Sequence, residues 1–171
     1  MTRLNIVCEG EVDTRVIEIL SNSSKCSNGH GKGGVANALK SRLVNVPAFG
    51  IIDEDRSKGV EPKYFADFIQ IAGDYSLQLF KHSSRQHFLV KVVPAIERWL
   101  IRSAEEANIA LHDYGFSADL KELKSITKKV SISNNIDFTR LVKALVRNQS
   151  PSALLLQKWL LRFCEGKPLF E

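Results

Sequence analysis

Long apolar runs are missing from this chain. Its longest uncharged stretches, such as "QSPSALLLQ" (149–157), fall far short of the roughly 20 residues a spanning helix needs. Arg3 lies near the start, but no apolar region with a small-residue cleavage site follows it, so a cytosolic protein is expected. Cysteine is scarce: Cys8, Cys26 and Cys164 are scattered, odd in number and without the CxxC spacing of a zinc site. Reduced thiols are expected, with Cys8 buried in a strand. Internal repeats and low-complexity tracts are also lacking.

What is present is ordinary for a globular domain, with 44% apolar and 25% charged residues in a chain of 171. That length suits one domain, or one domain with a small appendage. The net charge of +5 is unevenly spread. Residues 1–116 balance 14 Lys/Arg against 14 Asp/Glu, whereas residues 117–171 carry 10 against 5. A basic face of that kind attracts nucleic acid through its phosphates, or serves as a solvated helical surface.

Two short apolar runs end in carboxylates. "LNIVC" (4–8) reads as a strand cut off by Glu9-Gly10, and "DTRVIEILSN" (13–22) follows with a helical apolar stripe. The glycine would let the backbone turn tightly and a ligand approach. Asp13 suits a helix start whatever else it does. "AFGIID" (48–53) is a second strand, running into Asp53-Glu54-Asp55 and a polar turn, "EDRSKGVEP". Asp53 and Asp55, at i and i+2, share a face if the strand continues, and paired carboxylates repel unless a cation or a proton joins them. Hard cations such as Mg²⁺ favour such oxygens. A plain acidic turn with a strand cap is the simpler reading.

The remaining pattern is strand or helix in alternation up to about residue 110. "VANALKSRLVN" (35–45) reads as a helix, 63–71 as a short helix, "YSLQLF" (75–80) and "HFLVKVV" (87–93) as strands, and "AIERWLIRSAEEANIAL" as a helix opened by Pro94. An α/β domain with a mostly parallel central sheet flanked by helices is expected over 1–112. Its ligand chemistry belongs beyond the carboxyl ends of the strands, where "CEG" and "DED" lie. Residues 113–171 read as an all-helical extension, with Asp137 and Ser150 as N-caps, Pro151 at a first helical position and Gly166 at a stop. Trp99 and Trp159 fall on apolar stripes and read as core, while His82 and His87 flank a turn and read as surface. "GHGKGG" lacks the Gly-Lys-Ser/Thr ending of a phosphate loop, yet Lys32 there could hold a phosphate. Lys91 either points outward on an edge strand or reaches toward the acids as a phosphate clamp.

Taken together, "VCEGEVD" and "IIDEDRSKG" some forty residues on resemble the two motifs of the Toprim domain. That is the metal-binding α/β module of topoisomerases, bacterial primases, recombination proteins and overcoming-lysogenization-defect nucleases. The resemblance covers roughly residues 3–108. It implies Glu9 as a catalytic acid/base or metal ligand, Asp53 and Asp55 as the pair holding Mg²⁺ or Mn²⁺, and Asp13 as an added ligand. It further implies Glu97, in "VVPAIERWL", as a later metal-site glutamate. The residues themselves, apart from the resemblance, offer Gly10, Lys32 and Lys91 as phosphate-binding candidates. The pattern departs from primases and topoisomerases in carrying Glu54 between the aspartates and its next glycine, Gly59, late. Tyr64, Tyr75 and Tyr114 have no DNA-cleaving domain around them, which argues against a topoisomerase. The implied function is a Mg²⁺-dependent nuclease acting on DNA or RNA, in phage defence, nucleic-acid processing or RNA maturation. The alternative is a non-catalytic metal- or nucleotide-binding regulatory subunit, with a partner ATPase or as a homo-oligomer.

Overall fold

The computed structural model describes residues 5–55 and 59–170. The Arg56–Lys58 part of the second motif therefore lies outside the described residues. Among them, six strands form one sheet in the order β2-β1-β3-β6-β5-β4. They are β1 (Ile6–Cys8), β2 (Ser27–Asn28), β3 (Ala48–Asp53), β4 (Phe68–Gly73), β5 (Leu77–His82) and β6 (His87–Val92). Strands β2, β1, β3 and β6 run parallel, and β5 and β4 continue the sheet antiparallel. The chain is thus α/β with a mostly parallel mixed sheet, and no described helix is long and apolar enough to cross a membrane.

Both faces of the sheet are covered. In β1, Ile6 and Cys8 enter one core while Val7 enters the other, and β3 splits Phe49 and Ile51 from Ala48 and Ile52 in the same way. Every residue of β3 is buried, as expected of a central parallel strand covered on both sides. One face carries α1 (Glu11–Ser21), α3 (Ile96–Glu106), α4 (Leu120–Lys129), α5 (Ile136–Arg147) and α6 (Pro151–Cys164). Their inward residues, among them Ile17, Trp99, Leu123, Leu141 and Trp159, form a single cluster with that face. The other face is covered by α2 (Lys32–Asn37), which runs on as a wider π-helical turn over Ala38–Arg42. There Gly50 lets Val35 and Leu39 come close: a Cβ on it would lie 3.1–3.2 Å from their methyls.

Three expectations change. Residues 63–71 are not one helix: a 3-10 turn over Lys63–Asp67 leads directly into β4. The apolar spacing of Tyr64, Phe65, Phe68 and Ile69 imitates a helical stripe, but pairing with β5 decides the outcome. Ser150 caps α6 as expected, whereas α5 is capped by Asn135, whose side chain accepts from Phe138 N, and Asp137 falls inside its first turn.

The third change concerns His82 and His87, which are buried rather than on the surface. They lie at the end of the sheet where β5 finishes and β6 begins. His87 Nε2 bonds Leu43 O at 2.8 Å, and a carbonyl only accepts, so Nε2 carries the proton. Nδ1 then accepts from Tyr64 Oη at 2.6 Å. His82 Nδ1 accepts from the backbone N–H groups of Ser84 and Arg85, both at 3.1 Å. Burial lowers the pKa of both rings. Since the folded values lie below the unfolded value of about 6.5, acidification protonates the unfolded chain first. Stability is therefore full above pH ~6.5 and falls as the pH drops below it. Thermal melts between pH 7.5 and 5 should show a falling Tm, less steep in His87→Gln. A Tm flat across that window would refute the buried neutral pair.

Candidate acidic cleft at the carboxyl edge

The chain leaves β1 for β2 on one side, through α1, and leaves β3 for β4, beyond β6 and β5, on the other. Between the carboxyl ends of β1 and β3 the connections therefore diverge, and a crevice opens where parallel α/β sheets bind ligands. Glu9 follows β1 and Asp53 ends β3, one on each side of it. The link between them is direct: Glu9 Oε2 accepts from the backbone N–H of Asp53 at 2.8 Å. The main chain of Glu9 is held on both sides, its N–H donating to Ile51 O at 2.9 Å and its carbonyl accepting from Gly31 N at 2.8 Å.

Gly10 is the N-cap of α1, and Asp13 closes the first turn by accepting from Gly10 N at 3.1 Å through Oδ2. Gly10 is extended, with φ −137°, a conformation open to any residue, and an added Cβ would meet only Asp13 Oδ2 at 3.7 Å. The tight turn expected of this glycine is not there. Asp53 Oδ1 accepts from Ile96 N at 3.0 Å and so starts α3, which places Glu97 in that helix's first turn. Two 11-residue helices, α1 and α3, thus point their N-termini at the same acids, and their dipoles offset part of the negative charge.

Glu9, Gly10, Asp13, Asp53 and Glu97 line one cleft of about 400 Å³. Five of the residues proposed from the two motifs and the later glutamate are thereby brought together. Asp13 and Asp53 are almost fully buried there. Asp55 is not among the lining residues: its N–H bonds Pro94 O at 3.0 Å and its carbonyl accepts from Lys32 Nζ at 3.2 Å. Lys32 and Lys91 line a second cavity of about 390 Å³ with Glu54, Glu61, Gln78 and Phe80. Lys91 lies on an interior strand rather than an edge, pairs with Glu61 at 2.7 Å and sits 4.9 Å over the Phe80 ring. The edge-strand placement is not found; Lys91 shares its cavity with Glu54 of the second motif rather than with Glu9 and Asp53.

The cleft also contains residues that sequence reading did not single out. Thr127 and Lys128 reach it from α4, the first long helix of the C-terminal segment, and Glu11, Val12, Gly31 and Ile96 also line it. The signal for Lys128 was the positive excess after residue 116, which carries no position. Cys8 precedes Glu9, but burial pushes its thiol well up, and burial pushes that of Cys26 up to about 12. Neither is a thiolate nucleophile at neutral pH.

In chemistry, this donor set fits a hard divalent cation: several carboxylate oxygens, with no thiol or imidazole among the lining residues. In present geometry, no three His, Cys, Asp or Glu side chains among the described residues converge on one metal position. Glu9, Asp13 and Asp53 each spend an oxygen on a backbone N–H. Comparison with protein-family models, with curated proteins and with solved structures finds no match to this chain.

Proposed function

We propose that the chain is a Mg²⁺- or Mn²⁺-dependent nucleic-acid phosphodiesterase of the Toprim type, acting in the cleft between β1 and β3. The observation that carries this reading is the 2.8 Å bond from Asp53 N to Glu9 Oε2, which joins the two acidic motifs at the point where the strand connections diverge. Asp13, Asp53 and Glu97 would hold the ion, and Asp55 would approach from the next turn. Bound there, a divalent cation supplies Lewis-acid stabilisation of phosphate charge and a water of lowered pKa. The chain's own groups do the rest. Glu9 takes up the proton of the attacking water at the edge of the cleft. Lys128 offers ammonium donors to a phosphate oxygen, offsetting acids that would otherwise repel it.

Cleavage of DNA and of structured RNA should require Mg²⁺ or Mn²⁺, stop on chelation and return on metal addition. Glu9→Gln should lower the rate by about 100-fold or more, because general acid–base catalysis alone contributes about 10²–10⁴. Metal-independent cleavage, or an unchanged rate in Glu9→Gln, would refute the assignment. Phage defence or RNA maturation is the proposed setting, with an ATPase partner or self-association as the proposed assembly.

A second reading is a regulatory module that senses metal or nucleotide without cutting; Glu9, Asp13 and Asp53 each committing an oxygen to a backbone N–H supports it. In that case Mg²⁺ raises the Tm, as any ligand of the native state does, while no substrate is cleaved.

A further inference from the structure

Helix α4 brings one cation to the acidic cleft, and two more follow it along the same side. Lys121, Lys124 and Lys128 stand at i, i+3 and i+7, which at 100° per residue confines them to an arc of about 60°. Leu123, about 130° round the helix from the centre of the stripe, is buried against the body, and Thr127 beside it is buried too. Lys121 and Lys128 are exposed and Lys124 is half-buried. None of the three has an ion-pair partner among the described residues. The acids at the start of this helix are occupied elsewhere: Asp119 caps it through Glu122 N, and Glu122 accepts from Ser117 Oγ at 2.7 Å. The stripe runs about 10 Å along the axis at 1.5 Å per residue, and its last member, Lys128, lines the cleft.

We propose that this stripe is a track for the phosphates of one nucleic-acid strand, leading it along α4 into the acidic cleft. Three cations in a row offer one contact each to about three consecutive phosphates of such a strand. The narrow arc suits a single strand followed edge-on, and the sequence-independent contact is to the phosphodiester backbone that DNA and RNA share. The proposal rests on the reading of the cleft as a phosphodiester site, but its test does not depend on cleavage.

Binding of short fluorescent single-stranded DNA and RNA is measured by anisotropy in chelator, at several salt concentrations, with Lys121→Gln/Lys124→Gln and with Lys143→Gln on α5 as a control. Lys143 borders a different surface, with Arg15, Glu18 and Thr139. The double variant should lower the slope of log affinity against log salt by about 1.4, from ~0.7 per phosphate contact, and weaken binding roughly tenfold or more at 0.1 M salt. The control should lose less than half of that. Lys121→Arg/Lys124→Arg should restore the slope, which separates lost charge from lost fold. A drop with one oligonucleotide alone identifies that nucleic acid as the occupant. An unchanged slope in the double variant, an equal loss in the control, or no salt-dependent binding by the parent protein would overturn the proposal. A protein that binds through α4 but never cuts leaves the track standing and refutes the nuclease reading.

Discussion

Asp53→Asn is expected to abolish metal-dependent cleavage, a loss of at least about 100-fold, while leaving the protein folded. The two halves of that result have separate causes. An amide at this position keeps an oxygen to accept from Ile96 N, the bond that starts α3, so the helix still begins where it should. It loses the negative charge that a divalent cation needs in a nearly buried position. Thermal stability should therefore change by no more than about 1 kcal/mol, the net worth of a typical hydrogen bond. Asp53→Ala would lose both, and its Tm should fall further than that of the amide variant. Cleavage rates with Mg²⁺ in excess, read beside melts of both variants, check the argument. An Asn variant that cuts at the parent rate would remove Asp53 from the site.

Gly34→Ala should be the most damaging small substitution in the glycine-rich loop. A Cβ there would sit 1.6 Å from Gly29 O, a backbone atom with no flexible side chain to yield. Gly29 is itself pinned, since its N–H donates to Cys8 O at 2.7 Å. Relief must therefore move either the start of α2 or the loop that carries Gly31, whose N–H holds Glu9 O and which lines the cleft. A loss of about 3 kcal/mol or more is expected, at the upper end for a single residue. It should appear as a Tm lowered by several degrees together with weaker Mg²⁺-induced stabilisation. Gly33→Ala, where a Cβ meets nothing within 4 Å, is the matched control and should be nearly neutral. Equal stabilities for the two variants would refute the close approach.

These glycines show what sequence pattern carries and what it does not. "GHGKGG" suggested a phosphate loop from its composition, yet Gly29 and Gly34 are needed because two backbone segments touch. Strands β1 and β3 were legible because each is a short apolar run with a sharp polar end. The acids at those ends were legible for the same reason, since a parallel sheet collects its strand ends on one edge. Strand β2 is only two residues long, and no periodicity exists at that length. Strand β4 imitated a helix, and β5 overruled it. His82 and His87 looked superficial because polar residues beside a turn usually are. Their burial depends on Tyr64, 23 residues before His87, and on Leu43 O, 44 residues before it. Lys128 reached the cleft only through the packing of α4 beside α3, a tertiary fact with no local signature.

Main-chain bonds carry the backbone of the acidic stretch after β3 onward beside β6. Glu54 N donates to Val92 O at 2.8 Å and Asp55 N to Pro94 O at 3.0 Å, so the ladder with β6 continues past the last strand residue. These bonds join only backbone N–H and C=O groups, so they require no particular side chain at Glu54 or Asp55. Over evolutionary time those two positions can change without either bond being lost. Catalytic and silent descendants of such a chain would then share a backbone and differ only in which side chains occupy it.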